Sequence, residues 1–347
     1  MKNILLITDN AYTYSGREKI CSYMCGIYSD SYNVDLISLN GQGDLFYEFN
    51  GVRNVITLEG KKNKYQECVK LSQKYDSVFV LSMGKLTVYF SFYLLLRKLI
   101  CRKKKKPVDY IACEHVSYKS MGFLVKILKI LFLRIYSNVV VLTESDKNTY
   151  KKKGINSLVI ENPIFYKNIL NKKINKKYLA VGRLDDQKNF IELLNIWNIF
   201  IVGKDDYVLN IAGEGPLRSS LEEYIEANNL QNSVHLLGKV NNIDKYYLEA
   251  DVCLMTSKYE GLPLALLEAK SFSVPCIAYD CATGPAEIIE DHIDGFIVEY
   301  GNQAQFIKKM ESLRDENLYQ KFSISTSETS KKFSPLIIKN KWLSLIR

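Results

Sequence analysis

Residues 260–268 read Glu-Gly-Leu-Pro-Leu-Ala-Leu-Leu-Glu and follow an apolar run, Val252-Cys253-Leu254-Met255-Thr256-Ser257. Two carboxylates close to one backbone turn offer several acceptors to a hydroxyl-rich ligand. Pro263 suits the first turn of a helix, where no amide proton is needed. On that reading Glu260 sits on a strand-to-helix loop, with Glu268 two turns into the helix on a flank that still faces the ligand. The helix N-terminus between them attracts phosphate. The stretch therefore suits a phosphorylated, hydroxyl-rich ligand. The alternative is an amphipathic helix with two solvated glutamates.

Three further motifs sit where strands give way to helices. In Val181-Gly182-Arg183-Leu184, followed by Gln187-Lys188-Asn189, Gly182 permits a tight turn, and Arg183 and Lys188 bring two cations to one strand end. Two cations suit a pyrophosphate, whose charge otherwise needs a metal; a solvated surface loop is the alternative. Gly213 and Gly215 mark a second tight turn, which reads first as a plain strand-to-helix connection. Thr283-Gly284-Pro285 precedes a third helix start, with turn and ligand roles both open. No Asp-x-Asp spacing occurs, because Asp185-Asp186 and Asp205-Asp206 are adjacent pairs. A Mg²⁺-bridged diphosphate site is therefore not indicated.

The elements that must position these residues are short apolar strands alternating with helical stretches. Strands are expected near 3–8, 33–39, 53–58, 77–82, 108–113, 138–142 and 157–160, then near 178–182, 207–212, 233–237, 251–256, 275–279 and 295–299. Their nearly continuous apolar character predicts parallel strands covered on both faces. Repeated βα units predict an α/β fold of two doubly wound, Rossmann-like domains. The polar, basic stretch 162–177 is the expected break. The expected domains are residues 1–165 and 166–330, with a final helix at 331–347 packing back across both. Strand C-termini of both domains would face a central cleft, where ligands of such sheets bind.

Five motifs in order, VGRLDDQKN, IAGEGPLRSSLE, SKYEGLPLALLEAKSFSVPCIAYD, TGPAEII and DGFIV, resemble the retaining glycosyltransferases of family four. The resemblance is strong over about 178–300 and moderate over the first half. It implies the GT-B fold and transfer of a sugar from a nucleotide-sugar donor, without a metal or other cofactor. By position it assigns Arg183 and Lys188, beside Gly182, to the donor diphosphate. Glu260 matches the carboxylate facing the transferred sugar. Backbone amides of Gly261, Leu262, Pro263 and Leu264 fall where the family contacts sugar hydroxyls and a phosphate, although Pro263 itself has no amide proton. Glu268 matches the ribose-binding carboxylate, Lys239 and Val240 the base-binding segment, and Gly213 the cleft-side turn. In the first half, Ser15 replaces the first of the family's paired glycines, Gly16 remains, and Glu18 follows. Of three histidines, His115 ends a strand and matches a histidine that reaches the donor sugar; a structural histidine is the alternative. His235, inside an apolar strand, reads as structural, and His292 lies at a polar helix end. The resemblance further implies a UDP-sugar carrying a hexose or N-acetylhexosamine and a place in bacterial surface polysaccharide synthesis. The basic, amphipathic first domain suits a saccharide acceptor on a lipid carrier at the inner membrane face. A non-catalytic nucleotide-sugar-binding protein and a GT-B sugar-nucleotide epimerase are the competing classes.

Charge is uneven along the 347 residues. Residues 1–170 hold 26 Lys and Arg against 14 Asp and Glu, a net +12, and the remainder 21 against 24, a net −3. Arg97-Lys98 and Arg102-Lys103-Lys104-Lys105-Lys106 follow the apolar run Val88 to Leu96. A second segment, Met121 to Tyr136, mixes Phe123, Leu124, Ile127, Leu128, Leu131 and Phe132 with Lys126, Lys129 and Arg134. Residues 88–106 and 121–136 are therefore expected to dock on an anionic membrane. A core helix with a solvated basic loop is the alternative, and no motif favours nucleic acid. The N-terminus reads as a strand and no run is long enough to span a bilayer, so the expected location is cytoplasmic, peripheral on the inner membrane face. The eight cysteines read as reduced core thiols. Cys276, Cys281 and His292 lack a second ligand pair, so zinc is not expected.

Overall fold

The computed structural model describes residues 1–13, 15–100, 107–165 and 174–346. These form two compact units, one of Met1–Asn162 with Leu336–Arg347 and the other of Pro163–Pro335.

The first unit holds β1 (Asn3–Thr8), β2 (Asn33–Ser38), β3 (Val52–Thr57), β4 (Ser77–Ser82), β5 (Asp109–Glu114), β6 (Asn138–Val141) and β7 (Leu158–Val159). They pair in the order β3-β2-β1-β4-β5-β6-β7, and every pairing is parallel. Its helices are α1 (Gly16–Ser29), α2 (Lys64–Ser72), α3 (Leu86–Ile100), α4 (Phe123–Phe132) and α5 (Glu144–Lys151). The order reverses between β1 and β4, the place where doubly wound sheets open a crevice at their strand C-termini.

The second unit repeats this plan with β8 (Lys177–Val181), β9 (Val208–Ala212), β10 (Val234–Gly238), β11 (Val252–Met255), β12 (Cys276–Asp280) and β13 (Gly295–Glu299). The order is β10-β9-β8-β11-β12-β13, again all parallel, with the switch between β8 and β11. Its helices are α6 (Phe190–Phe200), α7 (Arg218–Ala227), α8 (Asp244–Glu249), α9 (Leu264–Ser271), α10 (Pro285–Ile288), α11 (Gln303–Ser312) and α12 (Glu316–Thr329). The last helix, α13 (Pro335–Leu343), carries the chain into the first unit.

Both cores form because strands buried on both faces need apolar helices above and below. In the second unit Tyr178 meets Trp197 edge to face at 5.3 Å and Phe200 at 5.5 Å. In the first, Tyr28 stacks on Phe79 at 5.0 Å, and its hydroxyl donates to the Trp342 carbonyl at 2.9 Å. Trp342 and Ile338 of α13 are thereby buried, and Lys339 and Lys341 pair with Asp30 and Glu161.

The structure corrects the sequence expectations in several places. β3 is an edge strand with Arg53, Asn54 and Val55 exposed, so its faces are not both covered. His235 lies on the outer strand β10 and is exposed rather than part of the core. His292 sits in the turn before β13 with φ +63°, outside a helix. Cys101, residues 102–106 of the basic run and residues 166–173 of the expected break lie outside the described residues.

Candidate active site

The loops after β8 and β11 meet at the switch point of the second sheet. Lys188 Nζ lies 2.6 Å from Glu260 Oε1, with side-chain exposures of 18% and 7%. Asn189 takes the left-handed conformation (φ 54°) to start α6, and the Lys188 amide donates to Asp185 Oδ1 at 3.2 Å. Gln187 fastens the two loops together: its Nε2 donates to the Tyr259 carbonyl, and its own carbonyl accepts from the Lys258 amide at 2.8 Å. Arg183 does not share the inward position of Lys188. Its side chain is 72% exposed and, among the described residues, pairs with Asp185 at 3.8 Å. One cation is thus bound to the candidate sugar carboxylate, and the other projects outward.

Glycines let these strand ends approach closely. A Cβ on Gly182 would lie 2.8 Å from Lys188 Cε, so the bare α-carbon gives the lysine stem its path toward Glu260. Gly213, at φ +149°, would place a Cβ 1.8 Å from the Gly182 carbonyl oxygen. The Gly213 amide donates to the Gly238 carbonyl at 2.9 Å, so the ends of β8, β9 and β10 form one seam. Lys239 and Val240 leave the last of these ends, with Lys239 exposed.

The 260–268 segment differs from its expected form in one respect. Pro263 is the N-cap residue (φ −67°, ψ 113°), and α9 begins at Leu264. Glu268 therefore stands just over one turn into the helix, not two. Glu260 through Leu262 remain loop, and the first-turn amides from Leu264 onward lack intrahelical partners. Glu268 is half-buried, and the Tyr247 hydroxyl lies 3.1 Å from its Oε2. The Thr283-Gly284-Pro285 turn clamps this loop. Thr283 donates to the Glu260 carbonyl at 2.6 Å, and a Cβ on Gly284 would fall 2.4 Å from the Gly261 carbonyl oxygen.

In the first unit, α1 starts at Gly16 with Ser15 as its N-cap. The Ser15 hydroxyl donates to the buried Glu18 carboxylate, which also accepts from Thr8 at 2.8 Å and from Arg17 at 2.6 Å. Ser15 is thus committed to holding Glu18, and any ligand contact at this turn falls to backbone amides. His115 follows β5, is 8% exposed, and its Nε2 has no hydrogen-bond partner among the described residues. Burial, with the nearby Arg17 charge adding to it, pushes its pKa down to about 3. The ring is therefore neutral at physiological pH and can donate or accept a hydrogen bond without carrying charge.

Lys129 is placed differently from the expected basic face of 121–136. It is the buried residue of α4, paired with Glu114 at the end of β5 and 3.0 Å from Thr87 Oγ1. Around it the helix turns apolar side chains outward, with Phe123 76%, Leu124 74% and Leu131 57% exposed. Among these residues Tyr247 belongs to no sequence motif. Gln187 and Thr283 lie inside motifs without a role of their own, and Lys129 reads from sequence as part of a basic face.

Residues 164–329 match the model of the family described as glycosyl transferases group 1. The amylovoran biosynthesis glycosyltransferase AmsD of Erwinia amylovora is 33% identical over 365 residues, covering 100% of both chains. A Campylobacter jejuni relative, GalNAc-alpha-(1->4)-GalNAc-alpha-(1->3)-diNAcBac-PP-undecaprenol alpha-1,4-N-acetyl-D-galactosaminyltransferase, is 32% identical over 212 residues, 59% of this chain and 58% of its own. Among solved structures, a mutant of S. aureus TarM in complex with Fondaparinux, alpha-GlcNAc-glycerol and UDP superposes with a TM-score of 0.84 at 16% identity over 100% of both chains. That likeness shows the fold. Two parallel α/β sheets of GT-B type and a full-length relative at 33% identity lead to one conclusion: this chain is a glycosyltransferase of the glycosyl transferases group 1 family, family four.

Proposed function

We propose that this glycosyltransferase moves a hexose or N-acetylhexosamine from a UDP-sugar to a lipid-linked saccharide, with retention, in bacterial surface polysaccharide synthesis. The observation that carries the reading is the Lys188–Glu260 pair at the β8/β11 switch point. The pair is complementary to a nucleotide-sugar. An arriving diphosphate gives Lys188 a doubly charged partner, and the released Glu260 carboxylate can accept from sugar hydroxyls. Arg183, exposed beside it, supplies the second cation to the departing diphosphate. Such preorganised charge stabilises a leaving group without reorganisation at the moment of reaction.

Retention by a covalent sugar intermediate needs a carboxylate nucleophile close to the anomeric carbon. Glu260 is the carboxylate proposed to face the sugar, and its role is hydroxyl recognition. Same-face substitution, in which the leaving phosphate takes the acceptor proton, asks for no second carboxylate. Glu268 is assigned to the ribose, Lys239 and Val240 to the base, and the amides of Gly261, Leu262 and Leu264 to hydroxyls and phosphate. Ser15 and Gly16 are assigned to the donor phosphate through their backbone, and His115 to the donor sugar as a neutral hydrogen-bonding group.

UDP in the TarM structure supports a uridine donor. The amylovoran biosynthesis glycosyltransferase AmsD supports a place in surface polysaccharide synthesis, and the relative acting on a PP-undecaprenol-linked saccharide supports the lipid-linked acceptor. We further propose that the apolar outer side of α4, with Leu96 and Leu99 of α3, docks on an anionic bilayer where such acceptors reside. The donor assignment is tested by thermal-shift titration with UDP-, GDP- and ADP-sugars. Stabilisation by UDP-sugars above the other two is expected, and a flat response to all three refutes it.

A further inference from the structure

We propose that Tyr247 is a positioning residue that orients the Glu268 carboxylate for ribose, and so sets a preference for ribonucleotide over deoxyribonucleotide donors. This rests on the assignment of Glu268 to the ribose given above.

Tyr247 belongs to α8, the helix that follows Lys239 and Val240 in the chain. Its side chain is fully buried, and its ring stacks on Phe272 with centroids 5.5 Å apart and 14° between planes. The ring therefore has little freedom to move. Its hydroxyl lies 3.1 Å from Glu268 Oε2 and 3.1 Å from the Ala265 carbonyl oxygen. A phenol has one proton, and an ionised carboxylate is the stronger acceptor. Burial and the Glu268 charge push the Tyr247 phenol well above its ordinary range, so it stays a donor at any physiological pH.

Glu268 needs this restraint for a geometric reason. A glutamate on a half-buried helix face rotates about three side-chain bonds, and its terminal torsion is broad. A carboxylate accepts from both vicinal ribose hydroxyls only when its plane is held in one orientation. The Tyr247 hydroxyl fixes Oε2, and Phe272, one turn beyond Glu268, fixes Tyr247. The chain through Lys239 and Val240 and the carboxylate on α9 are thus tied together through one aromatic ring.

The test compares Tyr247→Phe with the parent protein, measuring affinity for UDP and for 2′-deoxy-UDP by titration calorimetry. The substitution removes one oxygen and keeps the stacked ring, so the fold is retained and a melting curve verifies it. The parent is expected to favour UDP. Loss of one charge-assisted hydrogen bond should weaken UDP binding in Tyr247→Phe by about five- to tenfold. Binding of the deoxy nucleotide should change much less, so the preference shrinks. An unchanged UDP to deoxy-UDP ratio in Tyr247→Phe overturns the proposal. Equal binding of both nucleotides by the parent overturns the ribose assignment of Glu268, and the proposal with it.

Discussion

Lys188 Nζ sits 2.6 Å from Glu260 Oε1 although 72 residues separate them in the chain. The contact exists because β8 and β11 are neighbours at the switch of strand order, so the loops that leave them emerge side by side. A half-buried lysine and a buried glutamate neutralise each other there, and under the proposed function a nucleotide-sugar offers each a new partner. That division leads to a first prediction. Glu260→Gln keeps the size and the polar contacts of the side chain but not the charge. Sugar transfer should fall by about 100-fold or more, as when one preorganised polar group is removed from a reacting centre. UDP affinity should stay within about threefold, since other groups are assigned to the nucleotide. Radiolabelled transfer assays beside UDP calorimetry check this. Loss of UDP binding in Glu260→Gln would refute the separation of sugar and nucleotide contacts.

Gly182 supplies a second prediction, because its missing side chain is where the Lys188 stem runs. In Gly182→Ala the new methyl displaces a flexible lysine, which costs little stability but moves its charge. Transfer efficiency should drop by about tenfold, roughly 1.4 kcal/mol, with a small change in melting temperature. Gly213→Ala should behave in the opposite way. Its methyl meets the Gly182 backbone oxygen at 1.8 Å and φ is +149°, so something in the backbone must shift. A loss of several kcal/mol in urea unfolding is expected there, in the range of strained-backbone substitutions. Equal stability losses in the two variants would contradict this account of the seam.

His115 makes stability depend on acidity. Its folded pKa of about 3 lies below its ordinary 6.5, chiefly through burial. Between those values the unfolded chain binds a proton that the folded protein refuses. Stability contributed by the neutral ring is therefore fully present above 6.5 and declines as pH falls toward 3, by up to about 1.4 kcal/mol per pH unit. His115→Asn removes the titrating group. Its urea-unfolding free energy should fall less steeply than that of the parent between pH 6.5 and 4. Parallel curves would show that the imidazole is hydrated in the folded protein.

The outward face of α4 carries a prediction about location. Phe123 and Leu124 are three-quarters exposed, and large apolar side chains gain roughly 1.5–3 kcal/mol each on full burial. Replacing both with glutamate should reduce flotation with vesicles containing anionic lipid by at least about tenfold. UDP binding should be unaffected, because neither residue is among those assigned to the donor. Parent protein that fails to float with such vesicles would remove the membrane proposal.

Much of this was legible along the chain. Short apolar runs, several followed by a glycine-bearing turn, mark most of the parallel strands, because side-chain hydrophobicity alone signals strands buried on both faces; the exposed edge strand β3 is the exception. The proposed site residues Arg183, Lys188, Glu260 and Glu268 are read from sequence too, because the proposed phosphorylated, hydroxylated ligand asks for cations and carboxylates after strand ends. Strand neighbourhood is a different matter. The chain adds β9 and β10 on one side of β8 and then crosses to place β11 on the other, and local propensity does not encode that crossing. Only this reversal brings Lys188 to Glu260, while Arg183, five residues earlier, projects outward. Burial of Lys129 likewise depends on Glu114 waiting beneath α4. A lysine on an amphipathic helix reads as solvated, and a buried charge is tolerable only where a distant partner satisfies it. Tyr247 follows the same logic: its composition says core, and only the tertiary packing against Phe272 brings its hydroxyl to Glu268.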